Sequence, residues 1–189
     1  EEKYPLKELA AGGVAFKLAQ ALLKNSKLVE GLEKWLLDLV AIATVTDSMP
    51  LKGENRTLVK YGLVVLAQTK RFGLQELMRM AGIKPILNQK LFITNLDTHT
   101  LGYILGPRLN AAGRMDHAND AYRLLITKSK EEAGNLAKKL NEKNQERQRL
   151  TNKIIQEIEA KIKIKEEKLV FEGDENWPIG IVGLIAGRL

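Results

Sequence analysis

Apolar residues recur at helical spacing along most of the chain. In "EGLEKWLLDLVAIATVT" (residues 30–46), Leu32, Trp35, Leu36, Leu39, Val40 and Ala43 return every three or four positions, which predicts a helix. Its last turns are apolar on every side, so this helix is expected to be buried. "LKELAAGGVAFKLAQALLK" (6–24) reads as an earlier helix with Leu9, Val14, Phe16, Leu18, Ala21 and Leu22 at its apolar positions. The Gly12–Gly13 pair lowers helix propensity by roughly 1 kcal/mol per glycine relative to alanine, and is read as a close-packing or helix-entry point rather than a ligand site. Shorter helices are expected at "NRTLVKYGLVVLAQ" and "GLQELMRMAG".

The pattern changes after residue 129. From Lys130 to about Lys165 there is no Pro, one Gly (Gly134), and an excess of Glu, Lys, Gln and Leu, which predicts a single helix roughly 50 Å long at ~1.5 Å per residue. Leu136 and Leu140 make one end apolar, and Leu150, Ile154, Ile155, Ile158 and Ile162 the other. The middle, "NEKNQERQR" (141–149), is polar on all faces. Such a helix is expected to bridge two bodies through solvent, and the interrupted seam argues against a coiled coil. Beyond it, "KLVF" (168–171) is β-prone, residues 173–178 read as a loop, and Gly180 onward is apolar. This strand–loop–helix order suits the opening of an α/β unit.

Charge adds a candidate ligand class. The 189 residues carry a net +7, and the stretch Lys128–Lys168 holds 12 Lys and Arg against 8 Glu. A polyanionic partner fits that balance. Aromatic residues are 5% of the chain, which argues against a base-stacking platform and for contact with backbone phosphates. No apolar run reaches the ~20 residues of a membrane span and no signal peptide opens the chain. Cys is absent, which removes disulfides and thiolate metal sites and favours a cytoplasmic location. The chain opens on Glu1 and stops inside an apolar stretch, "GIVGLIAGRL", so it reads as part of something longer.

Few residues have the types and spacing that chemistry needs. Asp47, in "TVTDSMPL", follows the buried helix, where a carboxylate faces the negative end of the helix dipole. A bound hard divalent cation would reverse that penalty; the plainer alternative is a turn-forming Asp-Ser-x-Pro. "GENR" (Glu54, Asn55, Arg56) is a weak motif. His99 and His117 have no chelating spacing, and His99 lies at a helix start where Asp97 or Thr98 would cap. No P-loop, Gly-x-Ser-x-Gly or dinucleotide fingerprint occurs. "GPRLNAAGR" is the strongest local signal. Gly106, Pro107 and Gly113 are read as fixing a tight turn that presents Arg108, Asn110 and Arg114 as planar donors to a phosphate.

Together, "DLVAIATVTDSMPLKGENRTLVKYGL", "LGPRLNAAGRMDHA", the long charged helix and "NWPIGIVGLIAGRL" resemble the RecJ exonucleases, the single-strand-specific branch of the DHH phosphoesterase superfamily. The resemblance implies an α/β fold in three parts. Residues 1–128 would be the mostly helical C-terminal part of a DHH catalytic domain, 129–166 a long bridging helix, and 167–189 the start of a DHH-associated α/β domain. It implies a parallel sheet in the catalytic domain and a two-metal site for Mn²⁺ or Mg²⁺, with Asp47 as the one metal-binding and catalytic carboxylate present here. Other ligands would lie before Glu1 and a substrate motif beyond Leu189, so these residues alone are expected to be inactive. The implied function is 5′-to-3′ hydrolysis of single-stranded DNA in repair and recombination. The protein would be monomeric, with single-strand-binding protein or helicase partners. Arg108, Asn110 and Arg114 would bind substrate phosphates. Where family members commonly have Trp-His-Pro-Gly, this chain has Trp177-Pro178-Ile179-Gly180. A non-catalytic nucleic-acid scaffold and a small-substrate oligonucleotide phosphoesterase are the alternatives.

Overall fold

The structure is a computed structural model that describes residues 4–24, 26, 31–115, 118–161 and 169–189. It is mostly helical. In chain order it has α1 (Ala11–Lys24), a 3₁₀ turn (Leu32–Leu36) running into α2 (Leu37–Thr46), α3 (Gly53–Ala67) and α4 (Phe72–Met80). A hairpin of β1 (Leu87–Asn88) and β2 (Ile93–Thr94) follows, then a π-helical turn (Thr100–Leu105) that leads into α5 (Gly106–Met115). The chain continues as α6 (Asn119–Ile126), α7 (Lys130–Lys161) and α8 (Ile179–Ala186). No helix among the described residues is long and apolar enough to cross a membrane.

Helix α2 is the central element, as its apolar sequence predicts, with Val40, Ala41, Ile42 and Thr44 all buried. Helix α3 packs across it. Gly62 permits that approach, because a β-carbon there would stand 2.5 Å from Ala41 Cβ. Gly12 does the same for α1, with Ala43 Cβ 2.8 Å from where its own β-carbon would be, so the close-packing reading of this glycine holds. Phe16, Leu37, Val40 and Leu58 form the small core under α1. A larger core gathers Leu66, Leu74, Leu77, Leu101, Leu105 and Leu124 with Ala133, Leu136 and Leu140 of α7. Asp38 is buried inside α2, where it accepts hydrogen bonds from Thr69 Oγ1 at 2.8 Å and Arg71 Nε at 3.2 Å. This link fastens α2 to the start of α4 and carries no sequence signature.

The mostly helical character matches the expectation for this part of the catalytic domain; among the described residues the only ladder is the antiparallel β1–β2 pair, Leu87 opposite Thr94 and Asn88 opposite Ile93. Two expectations need correction. The expected strand at 168–171 is not formed over residues 169–171, and Lys168 lies outside the described residues, as do 162–166 of the predicted bridge. Nor does α7 cross open solvent. Its N-terminal half sits in the large core, its C-terminal half packs Ile154 and Ile158 on Ile181 and Ile185 of α8, and the polar middle buries Asn141, Asn144 and Thr151 along the same stripe. The stripe is continuous in position and changes only in polarity: Asn141 accepts from Arg108 of α5, Asn144 accepts from Arg147 of α7 itself, and Thr151 donates to the Arg147 carbonyl.

Asp97 is the cap anticipated before the π turn. Its Oδ1 accepts from the Thr100 amide at 2.7 Å and the Thr100 hydroxyl at 2.8 Å. These bonds, the amide first, hold its pKa below the usual carboxylate value. A lowered pKa contributes stability above the unfolded value of about 4, lost as pH falls through the folded value. Asp97→Ala is expected to lower stability by about 1 kcal/mol at pH 7, as other N-cap losses do. Thermal melts should show that gap narrowing below about pH 4; an undiminished gap in acid would remove the carboxylate from the cap.

Candidate nucleic-acid interface

The sequence "TVTDSMP" closes α2 in a specific way. The Met49 amide donates to Thr44 O at 3.0 Å and the Ser48 amide to Val45 O at 3.1 Å. This is the Schellman closure that usually employs glycine in the left-handed position. Here that position is Ser48, with φ 55°, a conformation that disfavours a side chain by roughly 1–2 kcal/mol. Asp47 is the C-cap and is exposed. It therefore has both the turn geometry and the exposed carboxylate that its two readings require. Asn55 of the "GENR" segment, fully buried, donates from Nδ2 to Pro50 O at 3.1 Å and Glu8 O at 2.7 Å. It pins the loop that leaves Asp47, a role the weak motif did not suggest. Among the described residues no three or more His, Cys, Asp or Glu side chains gather as a metal-binding group.

"GPRLNAAGR" is a helix, α5, and not the tight turn its glycines suggested. Pro107 sits in the first turn, where a missing amide is harmless. Ala111 and Ala112 are fully buried and let α5 lie close to α7. The π turn before it is closed by the Gly106 amide donating to Leu101 O. A side chain at Gly106 would strike Thr46 Cγ2 and stand 2.8 Å from Leu101 O, so this glycine brings α5 against the end of α2. Between the two elements lies a cleft of about 440 Å³, lined by Thr46, Ser48, His99, Tyr103, Asn110, Arg114 and Arg147.

The three donors predicted on α5 separate. Asn110 and Arg114 line the cleft and are exposed. Arg108 is half-buried and turns inward, donating from Nε to Asn141 Oδ1 at 3.0 Å and from Nη1 to Ile104 O at 2.6 Å. It stitches α5 to α7. Arg114 Nη1 donates to Gly180 O at 2.9 Å, and Gly180 leaves no room for a β-carbon against Arg114 O. That contact seats the start of α8 on the end of α5.

Two further arginines, which the sequence reading did not single out, join Arg114. Arg147 of α7 lines the cleft and bonds Asn144 Oδ1 through Nη2 at 3.0 Å, while its buried Nε has no partner. Arg188, just beyond α8, donates to Asn152 Oδ1 at 2.8 Å. Burial first, then the charges of Arg114 and Arg188, push the Arg147 pKa below the ordinary arginine value. Among the described residues none of the three is in an ion pair. Asp120 is held by Lys139 at 2.8 Å and Lys143 at 3.6 Å; Asp116 and His117 lie outside the described residues. Among the described residues these three guanidiniums act on one another without an ion pair, an arrangement whose chemistry suits an anion such as a phosphodiester, whose paired oxygens a guanidinium fork can bind. The spacing of Arg114, Arg147 and Arg188 in sequence hides the cluster, since α5, α7 and α8 bring it together only in the fold.

No protein-family model matches the chain. It is 38% identical over 188 residues to the single-stranded-DNA-specific exonuclease RecJ of Bacillus subtilis, a match that covers 98% of this chain and 22% of that protein. A crystal structure of exonuclease RecJ bound to manganese superposes with a TM-score of 0.83 at 30% identity, covering 98% of this chain and 45% of the other. RecJ from Thermus thermophilus in complex with Mg²⁺ gives a TM-score of 0.78 at 29% identity, covering 97% and 28% respectively. The chain thus spans less than half the length of each of these relatives.

Proposed function

The chain matches the RecJ single-stranded-DNA-specific exonucleases along nearly its whole length, and we propose that it forms the strand-gripping part of such an enzyme. The enzyme would hydrolyse phosphodiester bonds of single-stranded DNA, in the 5′-to-3′ direction, within repair and recombination in the cytoplasm. The observation that carries this reading is the cluster of Arg114, Arg147 and Arg188 beside the Asp47 turn. Arg114 and Arg147 hold backbone phosphate in the cleft, Asn110 donates to the same strand, and Arg108 acts indirectly by keeping α5 on α7. Asp47 offers one oxygen ligand to a divalent metal, Mn²⁺ or Mg²⁺. A lone exposed carboxylate suits such an ion only as one member of a larger ligand set, so the rest of that set comes from beyond the described residues. When bound, such a metal would supply activation of a water and charge stabilisation of the leaving oxygen, with Asp47 among the residues that would hold it.

Salt dependence tests the grip. Arg114→Ala and Arg147→Ala should each weaken binding of single strands equally for all base sequences. Each should also reduce the slope of log K against log salt by roughly 0.7. Arg114→Lys keeps the charge without the fork and should fall between wild type and Ala. A lower melting temperature with an unchanged slope would make these arginines structural and end the phosphate reading.

A further inference from the structure

The cleft carries one feature that phosphate contact does not use. His99 and Tyr103, one turn apart at the start of the π turn, stack with ring centroids 5.1 Å apart and an interplanar angle of 19°. Both are exposed, Tyr103 at 75% of its surface, and both line the same cleft as Asn110, Arg114 and Arg147. The pair is presented by a firm base: Asp97 caps the segment, and Thr100, Leu101 and Leu105 on its other side are buried. A large aromatic ring left in water on a well-anchored turn beside a cationic cluster has the two components of a single-strand surface, a π-face for bases and charge for the backbone.

Resting on the reading of the arginines as phosphate ligands, we propose that the His99–Tyr103 stack is a base-stacking platform for the bound strand. A base lies on the open face of the ring pair while its backbone follows Arg114 and Arg147. Every base offers a π-face, so the platform favours strands that carry bases over those that do not and shows little preference among the four. Low aromatic content predicts the opposite for the chain as a whole; two rings suffice because the fold places them in the cleft.

The probe is a pair of oligonucleotides of equal length, one of thymidylates and one with the central residues abasic, so that phosphate charge is constant. Binding to this chain is measured for wild type, Tyr103→Ala, Tyr103→Phe and Arg114→Ala at several salt concentrations. Wild type should bind the base-bearing strand about tenfold more tightly than the abasic one. Tyr103→Ala should lose that preference without changing the salt slope, and Tyr103→Phe should keep it. Tyr103 is exposed, so both variants should melt like wild type. An unchanged preference in Tyr103→Ala, or equal binding of the two strands by wild type, would overturn the platform and leave the phosphate reading intact. A flat salt response insensitive to Arg114→Ala would instead overturn the phosphate reading, and no binding of either strand would end both. If Tyr103→Ala weakened both strands equally, the ring would be serving the backbone or the fold, and the platform would again be wrong.

Discussion

Asp47→Ala, made in the protein that carries this chain, is expected to lower Mn²⁺-dependent hydrolysis of a single-stranded oligonucleotide by more than about 100-fold. Loss of an outer partner of a metal ligand typically costs 10–100-fold, and loss of the ligand itself costs more. The same change should not destabilise the fold. Asp47 caps α2 at its negative end and is exposed, an adverse placement by ~0.3–1 kcal/mol. Its removal should leave the melting temperature unchanged or slightly raised, which is the trade expected when a carboxylate is kept for function at the expense of stability. Strand binding should be largely retained, since the arginines are untouched. Calorimetric titration with Mn²⁺ should show a weakened or missing site. Unchanged activity and metal affinity, together with a fall in melting temperature, would leave Asp47 as a turn residue only.

The difference between what the sequence shows and what it conceals follows from how each feature is encoded. Helices α1 to α4, the burial of α2, the cap at Asp97 and the close packing at Gly12 are local or periodic, and all are legible. Asp47 is legible as a helix-end carboxylate because the dipole argument depends only on what precedes it. The helical state of "GPRLNAAGR" is not, because Gly, Pro and Asn have poor intrinsic propensity and the segment is held by tertiary packing of Ala111 and Ala112. Its small residues do permit close approach: Gly106 lets the start of the helix lie against Thr46 of α2. Arg108 illustrates the same limit: side-chain type identifies a donor, and only the fold shows that its acceptors are Asn141 and Ile104. Asp38 and Arg147 are invisible for a related reason: the partners of Asp38 are 31 to 33 residues away, and the charges nearest Arg147, those of Arg114 and Arg188, come from other parts of the fold.

The polar middle of α7 shows where that limit has the largest energetic consequence. Asn144 is 2% exposed and holds Arg147 Nη2, whereas its neighbour Gln145 is exposed. Asn144→Ala should lower stability by about 1–3 kcal/mol, because it leaves a buried guanidinium edge without its acceptor. Gln145→Ala should stay within about ±0.5 kcal/mol, as exposed substitutions do. Equal, small effects at both positions in denaturant unfolding would mean that the middle of α7 is solvated, as its composition suggests. Asn144→Asp separates packing from function. A carboxylate at this position gains charge-assisted bonds to Arg147 in surroundings shared with Arg114 and Arg188. The variant should therefore be at least as stable as wild type, yet bind single strands more weakly and with a shallower salt slope, because an internal anion now satisfies the cluster. Retained stability with unaltered strand binding would show that Arg147 does not face the phosphates.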